Sequence, residues 1–321
     1  MKPRVSDLTA ISVAILGFTC WVFGDSCVKW IAQAGFPPYE IVAFMGLFMS
    51  IALAAHAALR HNLASLRPYS IPRQLLRSML DMANNVCLVI ALRHLSLTMF
   101  YILVFLSPIV ISLLSRVTLG EPIGMRKAAA LLIGFAGVVI AVAPWSQIWN
   151  EIWIQPSAPH SIGFQHPAQA PNTDLIGIAA CMVCVSCFSV NMVWSRVLTR
   201  TEHPESLAFC SGVVTAVAGF ALCGLHARAL TPSLSVVVVA MGIFCAAGTL
   251  CFYVAVKHTS AGNVSQYHYT QLLTGTLVSW LVWRDKPSPS ILVGGALIIA
   301  SGIFIALEAH RSAALQPTTA P

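Results

Sequence analysis

Long apolar runs, separated by short polar or Pro/Gly-containing breaks, make up most of this chain. The runs lie at about residues 8–34, 39–59, 72–92, 97–118, 125–143, 174–198, 205–225, 234–256, 263–283 and 289–308. A helix that crosses a bilayer needs about 20 predominantly apolar residues, and these runs are close to that length. The pattern therefore predicts ten transmembrane helices.

The composition agrees with a membrane protein. Of the 321 residues, 57% are hydrophobic and 9% are charged, whereas about 25% of the residues in a soluble domain are charged. Lys2 and Arg4 precede the first apolar run as in a secretory signal, but this run is too long for a signal peptide and further spans follow. We therefore expect a retained first helix and no separate soluble domain.

The basic residues in the connections predict the orientation, because cytoplasmic loops are enriched in Lys and Arg. With the N-terminus inside, the inside segments hold Lys2, Arg4, Arg60, Arg67, Arg73, Arg77, Arg116, Arg126, Lys127, Arg196, Arg200, Lys257 and Arg311. The outside segments hold only Arg93, Arg228, Arg284 and Lys286. Both termini are thus expected in the cytoplasm. The net charge of +7 forms no basic stripe with aromatics, so nucleic acid is not an expected partner.

The one long connection, 145–173, is expected outside. It opens with aromatic and aliphatic residues at helical spacing, as in a helix lying in the headgroup region, and continues as a Pro-rich linker. These residues are Trp145, Ile148, Trp149, Ile152 and Trp153. The predicted organisation is a first repeat at 1–144, this linker, a second repeat at 174–311 and a cytoplasmic tail at 312–321.

The two halves of the chain resemble each other. At an offset of 167, Asp7, Cys20, Lys29 and Pro37 fall on Asp174, Cys187, Arg196 and Pro204; at 164, Arg93, His94 and Glu121 fall on Lys257, His258 and Asp285. Five spans are an odd number, so the second half must enter the membrane from the opposite side. This predicts an inverted repeat, a design in which solutes bind near the midplane between repeats.

Two full charges, Asp25 and Lys29, lie in the outer half of the first span. A charge within a span is costly and usually faces protein or a water-filled cavity. The two residues are four apart on one helix face, so they are predicted to pair and to act in a solute path or gate. The alternative is that Lys29 extends to the interface and Asp25 merely accompanies it.

The third span carries a second polar face, formed by Arg77, Asp81, Asn84 and Asn85. We expect Arg77 to snorkel into the cytoplasm. Asp81 is a candidate coupling or gating group, and Asn84 and Asn85 are candidate solute-path residues. Hydrogen bonding between helices is the alternative role for these amides.

The ninth span has the widest polar stripe. It comprises Asn263, Gln266, Tyr267, Thr270, Gln271 and Thr274, within about 140° of one helix, so it must face the bundle interior. All but Thr274 are candidate solute-path residues. His268 lies off this stripe and is a third candidate coupling or gating group, because histidine changes charge near neutral pH; a packing role is the alternative.

Other polar features favour structural roles. Gly120 and Glu121 precede Pro122 and are predicted to form the turn that starts the fifth span. All ten cysteines fall within apolar runs, which favours helix packing over disulfides. No zinc signature, Walker motif or nucleophile–base set occurs. We therefore expect no metal, no cofactor and no enzyme activity.

The segments Ala-Leu-Arg-His-Leu-Ser-Leu-Thr (91–98), Thr-Leu-Gly-Glu-Pro-Ile-Gly (118–124) and Gly-Phe-Ala-Gly-Val-Val-Ile-Ala (134–141) resemble the EamA-like branch of the drug/metabolite transporter superfamily. The span with Asp25 and Lys29 is similar to a subgroup that includes S-adenosylmethionine and riboflavin uptake proteins. The resemblance covers essentially the whole chain, as two repeats. It implies a carrier in a bacterial inner membrane, as a monomer or homodimer.

The sequence thus predicts an all-α integral membrane protein that moves a small polar or zwitterionic organic metabolite by alternating access without ATP. Its partners would be the lipid bilayer, the solute, and either protons or an exchange substrate. The competing hypothesis is a non-transporting structural or regulatory membrane subunit on the same fold.

Overall fold

The computed structural model describes residues 7–119, 124–142, 171–223, 231–258, 269–285 and 287–314, and within them the regular elements are all helical. They are α1 (Asp7–Gln33), α2 (Pro38–Leu59), a 3-10 turn (Leu63–Leu66), α3 (Ile71–His94), α4 (Leu97–Val104), α5 (Ser107–Leu119), α6 (Met125–Val142), α7 (Pro171–Leu198), α8 (Pro204–Cys223), α9 (Pro232–His258), α10 (Tyr269–Trp283) and α11 (Pro289–Ala314). We call α1–α6 the first half and α7–α11 the second half.

Seven segments among the described residues are long and apolar enough to cross a membrane. They are Ser12–Gln33, Pro38–Leu59, Ile71–His94, Leu97–Thr118, Leu175–Leu198, Pro204–Cys223 and Pro232–His258. Two shorter apolar helical segments, Ala128–Ala141 and Pro289–Ser301, coincide with the predicted fifth and tenth spans. The helix α10 begins at Tyr269, so the start of the predicted ninth span lies outside the described residues.

Proline sets many of the helix boundaries. The helices α2, α7, α8, α9 and α11 all begin at a proline, which suits the first helical turn because no N–H is needed there. Pro108 has the opposite effect within the predicted fourth span. It offers no N–H to the carbonyl of Val104 four residues earlier, and the span is divided into α4, ending at Val104, and α5, beginning at Ser107.

The helices pack mainly across the two halves. The most extensive contacts join α1 to α9, α2 to α8, α3 to α7 and α6 to α11. Glycines allow the closest approaches: a Cβ at Gly46 of α2 would collide with the backbone of Gly212 and Ala216 in α8. The buried core is continuous through both halves. The cavity described next is therefore lined by helices from each half.

Candidate functional site

A cavity of about 100 Å³ lies between the two halves. Its walls come from α1, α2, α3, α4 and the start of α5 in the first half, and from α7, α9 and α10 in the second. A buried water molecule needs about 10–15 Å³ of such space. The cavity can therefore hold several waters or a group of an organic solute.

Asp25 of α1 lines the cavity and is 8% exposed. The hydroxyl of Tyr101, in α4, donates a hydrogen bond of 2.8 Å to its Oδ2 atom. Tyr101 is itself buried and lines the cavity. The carboxylate is therefore positioned by the short helix that ends where Pro108 interrupts the span.

Asp81 of α3 forms a second carboxylate in the wall. The side chain of Asn191, in α7, donates to its Oδ1 atom at 2.9 Å, and the Ser195 hydroxyl donates to the Asn191 oxygen at 3.1 Å. This chain of hydrogen bonds joins the two halves. It also orients the amide of Asn191 so that its N–H faces the carboxylate.

Three predicted amides also line the cavity: Asn84, Asn85 and Gln271. Asn84 is 8% exposed, and its oxygen accepts a weak hydrogen bond from the Cys184 thiol at 3.1 Å. Gln271 is buried and donates to the carbonyl of Phe18 at 3.4 Å. These side chains provide donors and acceptors from α3 and α10 around the same space.

Three aromatic rings from different helices form one wall, which we call the ring wall: Trp21 of α1, Phe188 of α7 and Phe252 of α9. The ring centroids lie 5.1 Å apart for Trp21 and Phe252, and 6.2 Å apart for the other two pairs. The indole N–H of Trp21 donates to the Thr249 hydroxyl at 3.2 Å. The ring wall thus offers a large, fixed apolar surface beside the carboxylates.

One side of the cavity ends at a charged contact between α1 and the end of α10. The ammonium of Lys29 lies 3.8 Å from the Asp285 carboxylate, donates to the carbonyl of Leu95 at 3.4 Å and lies 5.0 Å from the centre of the Trp283 indole. The Trp283 N–H also donates to the Gln33 side chain at 2.7 Å. We call this the Lys29 layer; it lies one helical turn beyond Asp25.

The predicted pairing of Asp25 with Lys29 is not what the structure shows. Asp25 bonds Tyr101, and Lys29 forms its ion pair with Asp285. The four-residue spacing in α1 would allow Asp25 and Lys29 to pair with each other. Each instead has a partner from another part of the chain. Lys29 is nevertheless buried, at 5% exposure.

The opposite side of the cavity ends at Arg77, which contradicts its predicted snorkelling. The side chain of Arg77 is fully buried. Its guanidinium donates to the hydroxyl of Tyr253, to the Leu207 carbonyl at 2.7 Å and to the Ser211 hydroxyl at 2.8 Å. Oxygens from α8 and α9 replace the water that snorkelling would have reached.

Contacts farther along α3 extend this closure. Gln74 donates to the Ser206 hydroxyl at 3.3 Å, and the Glu202 carboxylate accepts from the backbone N–H groups of Tyr69 and Ser70, each at 2.9 Å. We call the contacts of Glu202, Gln74 and Arg77 the Arg77 layer. Arg77 lies one helical turn before Asp81, so the cavity lies between the Lys29 layer and the Arg77 layer.

The structure thus brings five predicted residues to one cavity: Asp25, Asp81, Asn84, Asn85 and Gln271. Lys29 lies beside it, and Thr270 is half-buried without lining it. The predicted residues Gly120, Glu121, Asn263, Gln266, Tyr267 and His268 lie outside the described residues, as does most of the 145–173 linker. Within the described part of the chain, no group of His, Cys, Asp or Glu has the arrangement of a metal site.

Asn191, Tyr101 and the ring wall were not among the residues predicted from the sequence. Asn191 could have been found, because an amide within an apolar span usually faces the protein interior. The aromatic residues carried no such signal, since Trp and Phe within a span face lipid, core or cavity equally well.

Comparison with known proteins agrees with this architecture. Residues 8–143 and 175–307 each match the EamA-like transporter family, and the chain belongs to that family. It is a membrane transporter and not an enzyme. A solved crystal structure has the same fold, with a TM-score of 0.68 and 21% sequence identity, covering 94% of this chain and 98% of the other.

Characterised relatives are similar over most of their length. A riboflavin transporter of Brucella anthropi is 22% identical over 86% of this chain and 91% of its own. A pseudopaline exporter of Pseudomonas aeruginosa is 22% identical over 92% and 95%, and an S-adenosylmethionine uptake transporter of Rickettsia bellii is 22% identical over 83% of each chain. The relatives therefore include an uptake transporter and an exporter.

Proposed function

We propose that this transporter moves a small polar or zwitterionic organic metabolite by alternating access, without hydrolysing ATP. The observation that carries the proposal is the placement of the cavity between the two halves and between the Lys29 layer and the Arg77 layer. Each layer joins elements of one half to elements of the other. Opening one layer while the other stays closed would expose the cavity to one side of the membrane at a time.

The pairing of helices supports a two-fold relation between the halves, as an inverted repeat of ten spans requires. Suppose that spans 1–5 correspond in order to spans 6–10. Exchanging the two halves then replaces span 1 by span 6 and span 8 by span 3, so a contact between spans 1 and 8 implies one between spans 6 and 3. The structure contains both contacts, as α1 with α9 and α3 with α7. The contacts of α2 with α8 and of α6 with α11 map onto themselves. Transporters built this way rock one repeat against the other around a fixed site.

The basic residues support an orientation in which both termini are cytoplasmic, and the bacterial relatives support the inner membrane of a bacterium. The Lys29 layer would then be the outer gate and the Arg77 layer the inner gate. Asp25 and Asp81 are the proposed coupling groups, together with His268. The solute path would include Asn84, Asn85 and Gln271, and continue along Asn263, Gln266, Tyr267 and Thr270 of the ninth span.

A direct test uses proteoliposomes loaded with a mixture of amino acids, nucleosides, vitamins and amines. Mass spectrometry of the lumen identifies solutes that leave faster than they leave protein-free liposomes. Asn84→Leu should slow this efflux several-fold, because it replaces a cavity amide with an apolar group. The matched control, Val183→Leu, changes an exposed residue of α7 beside Cys184 and should leave the efflux unchanged.

Two results would contradict the proposal. Equal efflux from loaded proteoliposomes and protein-free liposomes would favour the non-transporting subunit. Unchanged efflux in Asn84→Leu, with normal insertion into the vesicles, would show that the solute takes another route.

A further inference from the structure

If the cavity is the solute site of the proposed transporter, its charges restrict the class of solute. We propose that it binds an organic cation, whose positive group lies near Asp25 and Asp81 and whose apolar or planar body lies on the ring wall. This inference rests on the transport function proposed above. It narrows the proposed substrate class from small polar or zwitterionic metabolites to organic cations.

Among the described residues, the lining has two acidic groups and no basic group to match them. Among the described residues that line the cavity, Asp25 and Asp81 are the only charged side chains. Each carboxylate uses one oxygen in the contacts given above, to Tyr101 and to Asn191 respectively. Their other oxygens, Asp25 Oδ1 and Asp81 Oδ2, form no hydrogen bond with the described residues. Asp25 is buried and Asp81 is half-buried. A carboxylate that is partly removed from water without a counter-charge is unfavourable, so a cation is the complementary ligand.

Two described basic residues, each one helical turn from a cavity aspartate, are held by other partners. Lys29 is bound by Asp285, the Leu95 carbonyl and the Trp283 ring. Arg77 is bound by Tyr253, the Leu207 carbonyl and Ser211. Within the described residues, neither lies within 4.0 Å of Asp25 or Asp81 as an ion pair. Their charges weaken the negative potential of the cavity without neutralising either carboxylate by contact.

The ring wall adds a second attraction for a cation. Trp21 and Asp25 are four residues apart, so they lie on the same face of α1. A positive group held by Asp25 therefore lies beside an indole face, and indole is the aromatic ring that attracts cations best. A neutral solute would use the ring wall but leave the carboxylates uncompensated. An anion would be repelled by both features.

The test compares ligands that differ mainly in charge. Benzyltrimethylammonium, benzyl alcohol and phenylacetate share one ring and carry positive, neutral and negative groups. S-adenosylmethionine and S-adenosylhomocysteine differ by a methyl group that gives the sulfur a fixed positive charge. Binding is measured from the rise in melting temperature of the purified protein in detergent as the ligand concentration increases, because a ligand that binds only folded protein stabilises it.

We expect the cationic member of each set to bind most tightly. Asp25→Asn and Asp81→Asn should each weaken its binding about tenfold or more, as expected when one partner of a buried charge pair is removed. The control, Glu205→Gln, changes a half-buried carboxylate outside the cavity and should have no effect. The comparison among ligand charges needs only the wild-type protein, so it decides the matter even if an aspartate variant fails to fold.

Tighter binding of the neutral or anionic members would overturn the inference, as would the absence of binding by the cationic members at millimolar concentration. So would unchanged cation binding in both folded aspartate variants. These outcomes can be distinguished from failure of the transport function. If neutral solutes bind in the cavity and are exported from proteoliposomes, the proposed transport function is retained and only the preference for a cation is rejected.

Discussion

The ammonium of Lys29 lies 3.8 Å from the carboxylate of Asp285, across 256 residues of sequence and between the two halves of the protein. Lys29 is buried, whereas the Asp285 side chain is 41% exposed. Asp285 also accepts a hydrogen bond from Ser279 at 3.0 Å. The pair therefore joins α1 to the segment that follows α10, at one edge of the cavity.

The first prediction concerns the energetic coupling of this pair. Lys29→Gln and Asp285→Asn should together lower the free energy of unfolding by less than the sum of the two single changes. Asp285→Asn alone leaves a buried ammonium without its carboxylate, but the double variant does not. We expect a coupling energy of about 1 kcal/mol, within the range for residues in contact, from reversible unfolding in mixed detergent micelles.

Arg284 supplies the control for this cycle. It is exposed and adjacent to Asp285, so Arg284→Gln should show no coupling to Lys29→Gln. If the Lys29 and Asp285 changes were strictly additive, the contact would have no energetic role and the Lys29 layer could not act as a gate held by this pair.

The second prediction concerns Arg77. Arg77→Lys keeps the positive charge but cannot reach Tyr253, Leu207 and Ser211 together, because an ammonium lacks the planar fork of a guanidinium. Tyr253→Phe removes one hydrogen bond to a charged group and should cost about 1.5–3 kcal/mol. Arg77→Lys should cost more than Tyr253→Phe in the same unfolding assay.

Arg73 is a matched control on the same helix. It lies one turn before Arg77 and is exposed, so Arg73→Lys should leave the free energy of unfolding unchanged. Equal stabilities of the Arg77→Lys and Arg73→Lys variants would mean that Arg77 snorkels to water, as its position near the end of a span had suggested.

Much of the fold could be predicted from the sequence because helix boundaries follow from local chemistry. The predicted spans 8–34, 39–59 and 125–143 agree with α1, α2 and α6 to within one residue. The break between α4 and α5 was missed, although Pro108 was visible. The apolar run 97–118 is long enough for one span, so it was predicted as a single helix despite its proline. The interruption after Val104 is seen only in the backbone of the structure.

The candidate site could be predicted only in part. Asp25, Asp81 and Asn84 were visible because polar groups in apolar runs are costly unless they face the protein interior. Most partners of Lys29 and Arg77 were not, since they come from the other half: Asp285 and Trp283 for Lys29, and Tyr253, Leu207 and Ser211 for Arg77. Which oxygen atoms surround the buried side chain of Lys29 or Arg77 depends on the register between neighbouring helices. The hydrophobic periodicity along one helix contains no information about that register.

The last prediction concerns the close approach of α2 and α8. Gly46→Ala should destabilise the protein by about 1–3 kcal/mol or more, as overpacking does, because the new Cβ would meet the backbone of Gly212 and Ala216, which cannot yield as a side chain can. Gly295→Ala is the control, because among the described residues a Cβ there meets only the Leu272 side chain, at 3.4 Å, which is ordinary van der Waals contact. Alanine favours helix over glycine by about 0.8–1 kcal/mol, so Gly295→Ala should be neutral or stabilising in the same reversible unfolding assay. A Gly46→Ala variant as stable as Gly295→Ala would show that α2 and α8 can separate without loss, and that these two halves are not locked together at this crossing.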